Sequence, residues 1–181
     1  MIRMSGLVWA LAALISAQAT TVTKASFDDL AAKSTSIVRG RVLGSYTATR
    51  GSLIYTYYKI QVLDRWKGPA TPQVEVQVPG GSSNGLQQNV AGAPELTEGA
   101  QYVLFLWTGP SRATHLLGLS QGVLDVSTNA AGEVTVVRPA SDAVVVDSAT
   151  GLPSGPEPLQ MKLSDFSNRV AAALKGGGAT K

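Results

Sequence analysis

One pentapeptide has the spacing of a catalytic motif. Gly118-Leu119-Ser120-Gln121-Gly122 matches G-x-S-x-G, the elbow that presents a nucleophilic serine at a strand-to-helix turn. That chemistry needs a histidine base, and in hydrolases of this type the histidine follows the serine. The single histidine, His115, precedes Ser120 by five residues, and Val123-Leu124-Asp125-Val126 alternates like a strand after it. The pattern is therefore read as a serine in a tight turn, and no catalytic residue is assigned. His115 itself is read as a structural or surface residue. One histidine and no cysteine remove a thiol nucleophile, a thiolate zinc site and a multi-histidine metal centre. No metal ligand or cofactor is assigned.

The remaining candidates bind rather than react. Asp28 and Asp29 are sufficiently explained as acids at a helix N-terminus. Most of Asp64, Glu75, Glu95, Glu98 and Asp125 stand beside basic or turn residues, and they do not form an evident acid–base pair. The stretch 80–85 carries Gly80, Gly81, Asn84 and Gly85 but no Lys-Ser or Lys-Thr follows, so it is not a phosphate cradle. It reads as a flexible loop with a recognition role as the alternative. Tyr46, Tyr55, Tyr57, Tyr58 and Trp66 lie among Arg39, Arg41, Lys59, Arg65 and Lys67. Such a face can stack nucleic acid bases, present a protein- or glycan-binding surface, or simply form cross-strand pairs. Tyr55, Tyr57 and Lys59, with Gly80, Gly81, Asn84 and Gly85, are the candidate binding residues.

Composition narrows the setting. Only 15% of the 181 residues are charged and the net charge is +3, too small and too scattered for a nucleic-acid partner. With no cysteine, the fold must rest on an apolar core, which a domain of this length can supply. Residues 1–19 read as a secretory signal peptide: Arg3, an uncharged apolar run over 7–15, then Ala17-Gln18-Ala19 as a small-x-small cleavage site. The run is shorter than the roughly 20 residues that span a bilayer, so no membrane span is expected after cleavage. The expected location is periplasmic or extracellular.

The elements that would position these side chains are mostly strands. Ser26 caps a short helix ending near residue 34, with Asp29 completing a capping box and Phe27, Leu30 and Ala31 on its apolar face. Strands are expected over 36–47, with Gly40 and Gly44 at bulges or bends, and over 54–66, with Tyr58, Ile60 and Val62 on one face and Tyr57, Lys59, Gln61 and Leu63 on the other. In 73–78 Val74, Val76 and Val78 point inward, and Glu75 and Gln77 outward. Residues 79–98 are the longest break, with a short edge strand over 86–90. Residues 101–107 form a doubly covered central strand, 115–119 and 122–127 a pair joined at Ser120-Gln121, and 129–133 a hairpin turn into a strand through Val134, Val136 and Val137. A further short strand over 143–146 and an extended linker over 150–158 follow. Ser164 starts a last helix with Phe166, Val170 and Leu174 on its buried stripe. Short strands with helices only at the two ends predict a mainly β fold, a small barrel or sandwich.

Ser34-Thr35-Ser36-Ile37-Val38-Arg39-Gly40-Arg41-Val42, Ile54-Tyr55-Thr56-Tyr57-Tyr58-Lys59-Ile60-Gln61-Val62 and Trp66-Lys67-Gly68 resemble the opening strands of netrin-like and tissue-inhibitor-of-metalloproteinase domains. The chain is more similar to a group of bacterial exported proteins, in which Gly92-Ala93-Pro94-Glu95-Leu96, the segment from Glu98 to Leu106 and Gly118-Leu119-Ser120-Gln121-Gly122 recur. Some members carry this module ahead of a matrixin-like protease. The resemblance covers residues 27–126 and implies a small OB-like β-barrel with a short N-terminal helix and a C-terminal helix. It does not carry over the inhibitors' N-terminal cysteine, which this chain lacks, and no H-e-x-x-h-type zinc motif is present. The expected organisation is a signal peptide over 1–19, one domain over 20–175 and a disordered tail over 176–181. The expected function is an exported, non-enzymatic module that binds an extracytoplasmic protein, peptidase-associated or inhibitor-like. A hydrolase using Ser120 or a carboxylate pair, or a structural envelope component, is the alternative.

Overall fold

Two long strands set the frame. The computed structural model describes residues 22–139, 145–146, 153–154 and 158–176. The signal-peptide and tail expectations, and most of the 150–158 linker, lie outside these. After β1 (Val22–Thr23) and helix α1 (Phe27–Lys33), β2 (Ser36–Arg50) and β3 (Leu53–Lys67) pair antiparallel through the Gly51 turn. Their register shifts three times, between Ile37 and Val38, Arg39 and Gly40, and Val42 and Gly44. Such bulges increase local twist and bend the strand. Gly40 sits where a β-carbon would strike the Ile60 side chain and approach the Gln61 carbonyl, so glycine there permits the close approach of the two strands.

The chain continues through β4 (Gln73–Pro79), β5 (Gly81–Ser83), β6 (Leu86–Gln88), β7 (Gln101–Thr108), β8 (Thr114–Leu116), a 3-10 turn (Leu119–Gly122), β9 (Val123–Thr128), β10 (Val134–Val137), β11 (Val145–Val146), β12 (Pro153–Ser154), β13 (Gln160–Lys162) and helix α2 (Leu163–Gly176). The fold is mainly β with a short N-terminal and a longer C-terminal helix, as expected. The main sheet runs β13-β10-β9-β7-β2-β3-β4-β8, and β8 pairs also with β7. β1, β11 and β12 form a small separate sheet.

β7 separates two cores. Tyr102, Leu104 and Leu106 face one, with Val38, Val42, Tyr58, Ile60, Val76 and Val78. Val103 and Phe105 face the other, with Phe27 and Leu30 of α1 and Phe166 and Val170 of α2. Double coverage explains why this strand reads as a continuous apolar run. Ser26 caps α1 by accepting from the Asp29 N–H at 3.0 Å, and the Lys67 ammonium donates to the Ala31 and Ala32 carbonyls at its C-terminal end, 2.9 Å each. In the second core Phe27, Phe105 and Phe166 meet edge to face, and Trp66 packs on Phe166 at 4.9 Å between centroids.

Several expectations change. The strands at 114–116 and 123–128 do not pair with each other. Both lie antiparallel along the same edge of β7, β8 against Leu106–Thr108 and β9 against Tyr102–Leu104. The 3-10 turn between them redirects one chain from the first core to the second. Residues 80–88 are a hairpin rather than a flexible loop: Asn84 and Gly85 both have positive φ, 51° and 77°, the two-residue turn whose twist suits a hairpin. β13, unforeseen, pairs with β10. α2 begins at Leu163, so Ser164 lies within its first turn rather than ahead of it.

Candidate functional site

The candidate residues fall in three places. Tyr55, Tyr57 and Lys59 share the outer face of β3. Tyr57 stacks on Tyr46 across the pair with rings 4.9 Å apart and 8° from parallel. Tyr55 tilts against Tyr57 at 6.4 Å. Lys59 sits over the Tyr46 ring at 5.9 Å, and the Tyr46 hydroxyl donates to Glu75 at 3.1 Å. This ladder satisfies its own ring faces, as cross-strand aromatic pairs do. Gly80 and Gly81 lie behind it, at the start of the β5–β6 hairpin. Gly81 has φ 127° and a β-carbon there would meet Thr56 Oγ1 at 2.5 Å. The Thr56 hydroxyl donates to the Gly80 carbonyl and the Thr47 hydroxyl to the Ser82 carbonyl, so the hairpin is fastened to β2 and β3. Asn84 and Gly85 form its exposed tip.

A cleft neighbouring the ladder gathers more diverse groups. It encloses about 530 Å³ between β4 and the segment leading into β8. Apolar side chains from the first core, Val38, Val62, Val74 and Leu106, floor it. Tyr57, Glu75 and Gln77 line one wall, and Ser111, Arg112 and Thr114 the other, with Arg50 reaching in from the β2–β3 hairpin. The cleft exists because β4 and β8 run parallel with one registered pair, Gln77 with His115. Below that pair the facing residues of β4 are unbridged.

The register tells which backbone groups face the gap. Val62 N–H donates to the Pro72 carbonyl at 2.9 Å, and Ile60 pairs with Val74 two residues on. In an antiparallel ladder bonded and non-bonded pairs alternate. The N–H and C=O groups of Val74 and Val76 thus serve β3, and those of Gln73 and Glu75 point toward the cleft.

His115 closes the upper end. Gln77, expected outside, is 5% exposed because His115 covers it. The Gln77 amide lies 2.7 Å from His115 Nε2. The same amide nitrogen lies 3.2 Å from Nδ1, and an amide N–H can only donate, so the ring nitrogen that receives it carries no proton. Burial first, then the nearby Arg50 charge, hold the His115 pKa below its ordinary value. The ring is therefore neutral at pH 7.

The pentapeptide has a different task. Gly118 is left-handed, with φ 71°, and Ser120 lies in the 3-10 turn that leads into β9 rather than into an α-helix. Its N–H donates to the Gly92 carbonyl at 3.0 Å. Gln121, buried, accepts from the Ala25 N–H at 2.9 Å and donates to the Thr23 carbonyl at 3.0 Å. A β-carbon at Gly122 would collide with the Leu117 carbonyl. Among the carboxylates, Asp64 pairs with Arg39 at 2.7 Å, Asp29 with Lys33 at 2.9 Å and Glu133 with Lys162 at 2.5 Å. Among the described residues no group of three metal-ligating side chains gathers, and no helix is long and apolar enough to cross a membrane. Arg50, Glu75, Gln77 and Arg112 were not among the candidate binding residues. No local motif marks them, and the parallel return of β8 beside β4 is what brings them together. No protein family, curated protein or solved structure matches the chain.

Proposed function

We propose that the chain is an exported, non-catalytic binding module on an OB-type barrel, and that it takes an extended polypeptide segment into the cleft by strand addition to β4. The circuit β2–β3–β4–β8–β7–β2 supports the barrel reading. Its order, and a parallel contact between third and fifth strands, are what a five-stranded Greek-key barrel requires. The likeness of residues 34–42, 54–62 and 66–68 to netrin-like strands agrees with it. The observation that carries the binding reading is the open edge at Gln73 and Glu75, set above an apolar floor. Main-chain pairing at such an edge gives affinity, and pockets for alternate side chains give selectivity. The apolar run and cleavage pattern of residues 1–19 support export.

Amide exchange tests the strand-addition reading. A panel of ten-residue extended peptides should slow exchange of the Glu75 amide in the partner-bound protein. Glu75→Pro removes that N–H without taking a bond from β3, so it should abolish binding while the melting curve stays cooperative. Binding that leaves the Glu75 amide unprotected would refute strand addition. Mass spectrometry of the protein from the exported fraction should find Thr20 at the N-terminus.

A further inference from the structure

The charges around the cleft are unbalanced. Arg50 and Arg112 both line it and both are exposed. Among the described residues neither joins an ion pair; the pairs present are Asp29 with Lys33, Asp64 with Arg39 and Glu133 with Lys162. One carboxyl group on the wall, Glu75, accepts from the Tyr46 hydroxyl, so the lining sets two guanidinium groups against one carboxyl group. Arg50 stands close enough to His115 to disfavour protonation of the ring, which places a fixed positive charge at the closed end of the gap. Arg112 holds φ 62° in the turn before β8, at the open end. The floor between them is apolar.

We infer that the strand added to β4 is an acidic one, in which Asp or Glu alternates with an apolar residue, the apolar set resting on Val38, Val62, Val74 and Leu106 and the carboxylates meeting Arg50 and Arg112. The inference rests on the strand-addition reading and adds the partner's chemistry. Successive side chains of a strand point to opposite faces. A peptide paired with Gln73 and Glu75 must therefore present one set of side chains to the core opening and the other to the polar rim. Guanidinium groups suit carboxylates because their planar forks donate two parallel hydrogen bonds. A basic strand would meet two like charges, and a wholly apolar one would leave the rim unmatched.

The test uses acetylated, amidated ten-residue peptides alternating Val with Glu, Gln or Lys, and the Val–Gln peptide with a free C-terminal carboxylate. Binding is read by fluorescence anisotropy and by exchange of the Glu75 amide. The Val–Glu peptide should bind about tenfold more tightly than the amidated Val–Gln peptide, the combined effect expected of two partly exposed ion pairs. Val–Lys should bind more weakly than either. Arg50→Gln with Arg112→Gln should bring Val–Glu to the Val–Gln level and leave Val–Gln unchanged; both positions are exposed, so the fold should tolerate them. The advantage should also shrink as salt rises. Equal binding of Val–Glu and Val–Gln, with the Glu75 amide protected by both, overturns the acidic partner and leaves strand addition standing. Strongest binding by the free-carboxylate peptide overturns it in favour of chain-end capture. If no peptide protects Glu75, both readings fall.

Discussion

Gln121→Ala should destabilise the domain by about 2–4 kcal/mol. The side chain is 2% exposed and holds two backbone groups nearly a hundred residues away, the Ala25 N–H at 2.9 Å and the Thr23 carbonyl at 3.0 Å. Each hydrogen bond contributes about 0.5–1.5 kcal/mol net. The void left by the amide and its stem adds about 1 kcal/mol. For a domain of this size that corresponds to a fall in Tm of about 4–16 °C. Urea unfolding followed by circular dichroism gives the free energy, and exchange of the Ala25 amide reports whether the N-terminal segment has detached. Gln121→Glu separates hydrogen bonding from packing. Its carboxylate can still accept from Ala25 but cannot donate to Thr23, and burial raises its folded pKa above the unfolded value of about 4.3. The folded protein then holds its proton longer than the unfolded chain. The penalty relative to wild type should be small near pH 4, where the protonated acid donates to Thr23, and should grow as pH rises toward 7. A Gln121→Ala loss under about 0.5 kcal/mol, or a Gln121→Glu penalty independent of pH, would show that the pentapeptide does not anchor the N-terminal segment.

Three further outcomes follow. His115 should titrate by NMR below about 6.5, and because its folded pKa is lowered it costs nothing above that value. Its penalty to stability should accrue as pH falls through the unfolded pKa and stop growing once the folded ring is protonated. Arg50→Gln should move the titration upward; an unmoved His115 would contradict the proximity of the two groups. Phe166→Ala, at a side chain with no exposure that meets Phe27, Trp66 and Phe105, should cost about 3–5 kcal/mol in chemical denaturation. Ser120→Ala should leave an esterase and peptidase screen unchanged, and loss of an activity present in the wild type would overturn the non-catalytic reading.

What the sequence revealed about the fold was mostly what alternation dictates. Tyr58 and Ile60 are buried while Lys59 and Gln61 are exposed, because period-2 patterning carries its own answer about which face is inside. The capping residues of α1 and the two faces of β7 were readable for the same reason: each is a local signal. Pairing partners are not local. The segments 114–116 and 123–128 looked like a hairpin because a short turn joins them, and only the length of the free edge of β7 decides that both can lie along it. The second strand of the hairpin, Leu86–Gln88, falls within the edge strand expected over 86–90; its first strand, 81–83, was hidden by glycine, which weakens strand propensity, although Asn84-Gly85 is a strong turn signal. β13 is three residues long, too short for periodicity to register.

The candidate site was less legible, and Gln77 shows why. Alternation places its side chain on the outer face, where it lies, but the outer face at this position is not solvent. A parallel strand then returns over that face and lays His115 against it. The same return creates the unbridged edge at Gln73 and Glu75 and draws Arg50 and Arg112 to the rim, from positions 62 residues apart. None of these residues is unusual for its own segment. Their meaning depends on where one registered pair, Gln77 with His115, stops the closure of β4 against β8. A longer β8 would seal that edge and leave two surface arginines with no gap between them. The candidate site is thus set by the length of a strand rather than by the identity of a motif, and extending the β4–β8 ladder by redesign of 112–114 should close the cleft and, if strand addition to β4 holds, remove peptide binding without touching any side chain of its floor.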